Sequence, residues 1–196
     1  ILDNKVFSEK IIKNHIYIFT FLIGALYTLS FSPFNFKPLI YFSLAAFFYF
    51  LINSNRKKSM LISYLYALAI FTTGVSWIFN SIYFYGGEHL AISLFLTILF
   101  ILVLSAFFIP IGLFVNKQSQ NILYLYPIMV PSVWVFIELV RSYAFGGFPW
   151  LLVGTSQIDT LFNVAFPLFG TYFVSFLAIM LSIIIALIVK DRKFIS

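Results

Sequence analysis

Ser30–Pro38 reads SFSPFNFKP, and it stands between two short apolar runs, Ile16–Phe31 and Leu39–Ile52. Each run is shorter than the roughly 20 residues that a straight helix needs to cross a bilayer. Pro33 and Pro38 each remove a backbone donor, so the stretch breaks helix. If it is a kink, the two runs make one crossing; if it is a turn, they make two. Charge decides between these. As a turn, it leaves Lys5, Lys10, Lys13, Arg56, Lys57, Lys58, Lys117, Lys190, Arg192 and Lys193 on one side, with only Lys37 and Arg141 on the other. That is a strong positive-inside bias. As a kink, it would place the amino-terminal lysines and the Arg56 cluster on opposite sides. The stretch is therefore read as a turn.

Working outward, the apolar runs continue at 60–82, 90–115, 122–141 and 161–189, which gives about six spans with 16–31 and 39–52. The expected fold is all-α: a polytopic transmembrane helix bundle with both termini cytoplasmic. Residues 1–15 read as a cytoplasmic lead segment, too charged for a signal-peptide core. Residues 142–160 read as a periplasmic loop and 191–196 as a cytoplasmic tail. In lipid every amide must be satisfied within the protein, and these runs are too long and unbroken for barrel strands. No convincing internal repeat is present.

Composition agrees. Of 196 residues, 62% are hydrophobic and 9% charged, whereas a soluble domain is nearer half apolar and a quarter charged. The solvent is largely lipid. The net charge of +6 lies in short loops between apolar runs, so it reads as topology rather than as a nucleic-acid surface. There is no cysteine, which rules out thiolate metal sites and a cysteine nucleophile within these residues. His15 and His89 are far apart, each at the end of an apolar run, and read as interfacial histidines. No metal site or cofactor is expected.

Pro131, Trp134, Glu138 and Arg141 are spaced by three, four and three, which puts them on one helical face. Charges this close to a membrane core face the bundle interior or water. One reading is a buried ion pair that pins the following loop; another is a group that orients a head group or substrate. Glu138 is not expected to act as general acid or base, because no nucleophile sits near it in sequence. The loop that follows carries Gly147, Phe148, Pro149 and Trp150, then Ser156 and Gln157. Pro149 restricts Phe148 to extended backbone, so Phe148 and Trp150 are presented on a stiff turn. Trp77, Tyr83, Tyr85, Tyr143 and Trp150 all fall near the outer face in this topology. They read either as an anchoring belt or as the wall of a lipid-binding vestibule.

GFPW followed by GTSQ, with the glutamate and arginine upstream, resembles the membrane domain of bacterial apolipoprotein N-acyltransferases. Three further stretches match in order: GALYTLSFSPF (24–34), GVSWIFNSIYFYGG (74–87) and AFPLFGTYFVSF (165–176). Ser142 departs from the pattern, where a glycine is expected. The resemblance implies a multi-pass enzyme of the bacterial inner membrane. Such an enzyme moves an acyl chain from a phospholipid donor, typically phosphatidylethanolamine, to the amino-terminal diacylglyceryl-cysteine of an apolipoprotein acceptor. The family's reaction passes through a thioester on a Glu-Lys-Cys set in a nitrilase-like domain, and that domain has no counterpart in these residues. The chain as given is therefore expected to be inert by itself, with no catalytic residue of its own. Trp150, Phe148, Pro149, Gly147, Glu138, Arg141, Trp77, Ser156 and Gln157 are the candidate substrate-binding residues. A small transporter or a non-enzymatic scaffold is the alternative, but transporters favour inverted repeats and midplane polar groups, and neither is found here.

Overall fold

The computed structural model describes residues 2–195, with the side chains of residues 15–191 apart from Gln120 and Phe145. The chain is all-helical, and no strand occurs among the described residues. The main helices are α1 (Leu2–Thr28), α2 (Pro38–Ile52), α3 (Arg56–Val75), α4 (Ile78–Asn80), α5 (Leu90–Ala106), α6 (Ile109–Phe114), α7 (Tyr126–Tyr143) and α8 (Phe166–Ile195). Four helical stretches are long and apolar enough to cross a membrane: Arg56–Val75, Leu90–Phe114, Asn121–Tyr143 and Leu161–Asp191. His15–Thr28 and Pro38–Ile52 are apolar but shorter.

Ser30–Pro38 is a tight turn. Asn35 N–H donates to the Phe31 carbonyl at 2.9 Å, and Phe36 N–H to that of Leu29 at 2.9 Å. Pro38 opens α2, where its missing N–H leaves no intrahelical bond unmade. The chain thus folds back, and α1 and α2 pack as neighbours, α1 also lying along α3.

Helix ends follow local chemistry more than hydropathy. The apolar run 90–115 divides into α5 and α6 because the Pro110 ring would meet the carbonyl four residues back, at Ala106, where α5 stops. The run 60–82 begins earlier as helix, at Arg56, because Asn55 caps α3 by accepting from Lys58 N–H at 3.0 Å. It also stops earlier, at Val75, and the chain continues through α4 into a wide helical turn over Ser81–Tyr85.

The core is aromatic. Phe47 of α2 stacks on Tyr66 of α3 with ring centroids 4.1 Å apart. The Trp134 ring on α7 meets the edges of Phe47, Phe48 and Phe108, the closest centroid at 5.0 Å. Between helices in lipid, packing replaces the hydrophobic effect as the attraction, and small residues let backbones approach. Gly24 does this for α1: a Cβ there would sit 2.6 Å from the Tyr66 carbonyl oxygen.

The two ends of the bundle differ. At one end, Lys117 N–H donates to the Ser54 carbonyl at 2.8 Å and Arg56 N–H to Gln118 Oε1 at 3.0 Å. These bonds join the two basic loops. The opposite end holds the Ser30–Pro38 turn, the Ser81–Tyr85 segment and the loop after α7.

Candidate functional site

The site is built on the last two turns of α7. Trp134, Glu138 and Arg141 are buried with Pro131 on one face, as their spacing predicts. Glu138 is 1% exposed and Arg141 2%, yet they do not form a direct ion pair, one of the two readings of their spacing. Glu138 Oε1 accepts from Trp134 Nε1 at 3.1 Å and from the Val153 N–H at 2.8 Å. Arg141 Nη1 donates to the carbonyls of Phe148 at 2.9 Å and Trp150 at 2.6 Å. Glu138 Oε2 and Arg141 Nε have no hydrogen-bond partner. Each charge holds a different part of the loop. The carboxylate takes its incoming N–H and the guanidinium takes two of its carbonyls.

The guanidinium suits this place for three reasons. It lies in the last turn of α7, where a cation meets the negative end of the helix dipole. Its Nη1 carries two N–H groups held in the guanidinium plane, and they reach two carbonyls at once. Its carbon Cζ also sits 5.3 Å from the centroid of the Phe71 ring, over its face. Hydrogen bonds to a charged group contribute about 1.5–3 kcal/mol each, so the two carbonyl bonds hold the turn firmly.

The loop's own backbone fits the clamp. Gly147 has φ 81°, and a Cβ there would run into the Ser142 carbonyl. Phe148 N–H returns a bond to the Arg141 carbonyl at 3.0 Å. Leu151 has φ 57°, an uncommon left-handed conformation for a residue with a side chain. Its carbonyl is held by Tyr27 Oη at 2.9 Å. Gly154 N–H donates to Ser175 Oγ of α8 at 2.7 Å. Tyr27 and Ser175 complete the cradle. Both lie within stretches that resemble the acyltransferase family, but spacing alone gave neither of them a role.

The remaining candidates divide between the surface and the interior. Trp77 and Trp150 are about half exposed, with centroids 5.4 Å apart. Phe148 packs edge-on against Phe100 of α5 at 5.1 Å. Ser156 and Gln157 are fully buried. Gln157 Nε2 donates to Ser156 Oγ at 2.8 Å, and Tyr41 Oη donates to Gln157 Oε1 at 2.6 Å, which ties the loop's far end to α2. Ser156 and Gln157 line neither of the cavities beside the turn.

Those cavities flank the Phe-Pro-Trp turn on opposite sides. One, of about 570 Å³, lies toward α5 and is lined by Leu96, Leu99, Phe100, Val103, Phe148 and Arg141 among others. The second, of about 520 Å³, lies toward the Ser30–Pro38 turn. It includes Thr28, Ser32, Thr73, Trp77, Trp150 and Thr155. No charged side chain lines the second cavity.

These features define an all-helical membrane protein that carries a clamped aromatic turn at one end of its bundle. Residues 23–184 match the family model described as apolipoprotein N-acyltransferase N-terminal domain, and the chain belongs to that family. It is 33% identical over 194 residues to the apolipoprotein N-acyltransferase of Pasteurella multocida, covering 96% of this chain and 36% of that protein. With the Methylococcus capsulatus enzyme it shares 36% identity over 172 residues, 87% of this chain and 34% of that protein. With that of Coxiella burnetii it shares 31% over 180 residues, 90% of this chain and 37% of that protein. The chain thus spans about a third of the length of the curated relatives it matches.

Proposed function

We propose that this chain is the membrane portion of an apolipoprotein N-acyltransferase in the bacterial inner membrane. The whole enzyme would transfer an acyl chain from phospholipid to the amino-terminal diacylglyceryl-cysteine of a lipoprotein. The thioester step belongs to a catalytic domain outside these residues, and no catalytic residue is assigned here. The part of this chain is to grip lipid. Phe148, Pro149 and Trp150 form the rigid platform, with Trp77 as the facing aromatic wall. Glu138 and Arg141 are positioning residues that hold the platform in shape.

The observation that carries this reading is the clamp. Two nearly fully buried charges hold one turn through its backbone, while Trp150 stays half exposed beside a cavity. A prepaid, rigid aromatic surface loses little entropy when a ligand docks.

About six crossings, with both termini cytoplasmic, place the platform at the outer leaflet. Support comes from the basic residues gathered at the opposite end, since cationic loops are retained on the cytoplasmic side. The absence of cysteine makes this directly testable. Single cysteines at Tyr85 and Lys57 are probed in intact cells with a membrane-impermeant maleimide. Tyr85→Cys is expected to label without lysis, and Lys57→Cys only after it; the reverse pattern inverts the topology and removes the platform from the outer leaflet. For function, the changes matching Trp150→Ala and Arg141→Ala are made in a full-length relative. Loss of lipid-dependent acylation is expected. Unchanged acylation in both variants would defeat the platform.

A further inference from the structure

The cavity of about 520 Å³ beside the Ser30–Pro38 turn has hydroxyls of Thr28, Thr73 and Thr155 in its lining. A hydroxyl has one proton to donate and two lone pairs to accept with. Thr73 Oγ1 donates to the Ala69 carbonyl at 2.8 Å, and Thr155 Oγ1 to the Leu152 carbonyl at 2.7 Å. Thr28 Oγ1 donates to the Ala25 carbonyl at 2.8 Å, with Thr73 Oγ1 as a second acceptor at 3.1 Å. Each proton is engaged inside the protein. What these three hydroxyls offer a ligand is lone pairs, so the ligand has to bring the donors. A fourth hydroxyl, on Ser32, is exposed at the rim and can turn its proton either way.

Charge and aromaticity narrow the ligand further. No acidic or basic side chain lines this cavity. A metal ion finds no carboxylate there, and a phosphate finds no cation. Trp77 and Trp150 also line it, and an indole face attracts an organic cation more strongly than any other side-chain ring. Their rings lie 5.4 Å apart with planes inclined at 57°, which makes an open corner rather than a closed stack. These groups are within reach of a ligand: Trp77 is 43% exposed and Trp150 48%, and Thr73 is exposed. A threonine bonded to its own helix is ordinary, and so is a tryptophan at a membrane interface. Their meeting in one uncharged cavity points to a ligand that is cationic and rich in N–H groups.

We propose that this cavity binds a primary ammonium group, with its charge against the Trp77 and Trp150 rings and its N–H groups on the hydroxyls of Thr28, Thr73 and Thr155. That a lipid carries the ammonium rests on the reading of the platform given above; the ammonium itself goes beyond it. Two sources share this chemistry: the aminoethyl phosphate head group of a phospholipid, and the amino-terminal amine of a lipidated peptide. A quaternary ammonium keeps the aromatic contact but has no N–H for the hydroxyls.

The test is retention by the purified chain in mild detergent, read by native mass spectrometry at about pH 6.5, where both amines are protonated. The probes form two pairs at equal concentration. One pair is palmitoyl-lysophosphatidylethanolamine and palmitoyl-lysophosphatidylcholine; the other is a dipalmitoylglyceryl-cysteine peptide and its N-acetyl form. The primary amine is expected to be retained about tenfold over its partner, equivalent to about 1.4 kcal/mol. Preference in the phospholipid pair alone upholds the site for a head group. Preference in the peptide pair alone upholds it for the amino terminus, and preference in both upholds a general ammonium site. Thr28→Val/Thr73→Val keeps the shape and removes two acceptors, and is expected to abolish the preference while lysophosphatidylcholine is retained as before. Trp77→Leu is expected to lower retention of both lysophospholipids together. Equal retention within both pairs, or a preference that survives the double valine variant, overturns the proposal. Such a failure, with acylation in the full-length relative still sensitive to Trp150→Ala, removes the ammonium site and leaves the platform standing.

Discussion

Glu138 and Arg141 stand one helical turn apart on the buried face of α7 and bind different residues of the same loop rather than each other. Glu138 Oε1 takes the Val153 N–H at 2.8 Å, and Arg141 Nη1 takes the Trp150 carbonyl at 2.6 Å. The charges are thereby bonded to main-chain groups of the loop. A polar loop at membrane depth is stable only when protein or water completes its hydrogen bonds.

Glu138→Ala removes the acceptor for both Trp134 Nε1 and the Val153 N–H. Two buried donors are left unpaired, at about 1–3 kcal/mol each. Thermal unfolding in detergent is expected to show a loss of about 2–6 kcal/mol by that reckoning. Glu138→Gln keeps an oxygen acceptor at the same place and is expected to lose much less. Equal losses in the two variants would mean that the carboxylate charge, rather than its acceptor geometry, holds the loop.

Arg141→Lys tests the planar guanidinium, whose Nη1 makes both bonds. A lysine ammonium is a single point on a flexible stem and does not hold two carbonyls in a fixed plane. At least one of the Phe148 and Trp150 bonds is lost, a change of about 1.5–3 kcal/mol. The effect should be local. Limited proteolysis is expected to accelerate between residues 144 and 155, with cleavage elsewhere unchanged. Uniform protection across that stretch would show that Tyr27 and Ser175 suffice to hold it.

Much of this architecture is legible in the sequence, because lipid enforces simple rules. The prolines of Ser30–Pro38 and Pro110 mark a turn and a helix break by removing donors, whatever surrounds them. The shared face of Trp134, Glu138 and Arg141 follows from helical spacing alone. The partners of those charges are not legible. They are main-chain atoms of a loop, and main-chain atoms leave no side-chain pattern. Tyr27 reaches Leu151 across 124 residues, a contact that only the packing of α1 against the bundle creates. Ser156 and Gln157 read as candidate substrate-binding residues, yet both are fully buried, with Gln157 bonded to Ser156 and to Tyr41. The early stop of α3 at Val75 has no proline at its end to announce it, so the apolar run misleads by continuing to Ile82.

Gly146 and Gly147 make a matched pair. Both have positive φ, 89° and 81°, which an L side chain adopts at about 1–2 kcal/mol. A Cβ at Gly146 meets nothing within 4 Å, whereas one at Gly147 runs into the Ser142 carbonyl. Gly146→Ala is expected to lose only the backbone contribution. Gly147→Ala is expected to lose more, since the backbone must also shift and pull the Phe148 carbonyl away from Arg141. Comparable unfolding temperatures for the two variants would contradict the close approach.

Gly24 tests the packing that carries the site from below. Its missing side chain lets α1 lie on α3, with the Tyr66 carbonyl oxygen 2.6 Å from where a Cβ would stand and the Ala69 methyl carbon at 2.8 Å. Neither obstacle yields easily, since one is backbone and the other a methyl fixed to it. Gly24→Ala therefore separates the two helices. Overpacking of this kind costs about 1–3 kcal/mol. The displacement also moves Tyr27, one turn further along α1, off the Leu151 carbonyl. Gly24→Ala is thus expected to lower thermal stability and to speed proteolysis of the loop at 144–155, although residue 24 touches no part of that loop. Tyr27→Phe, which removes only the hydroxyl, is expected to reproduce the proteolysis with a smaller stability loss of about 1 kcal/mol. If Gly24→Ala destabilises the bundle but leaves the loop's cleavage rate unchanged, the α1 contact does not help to hold the aromatic turn.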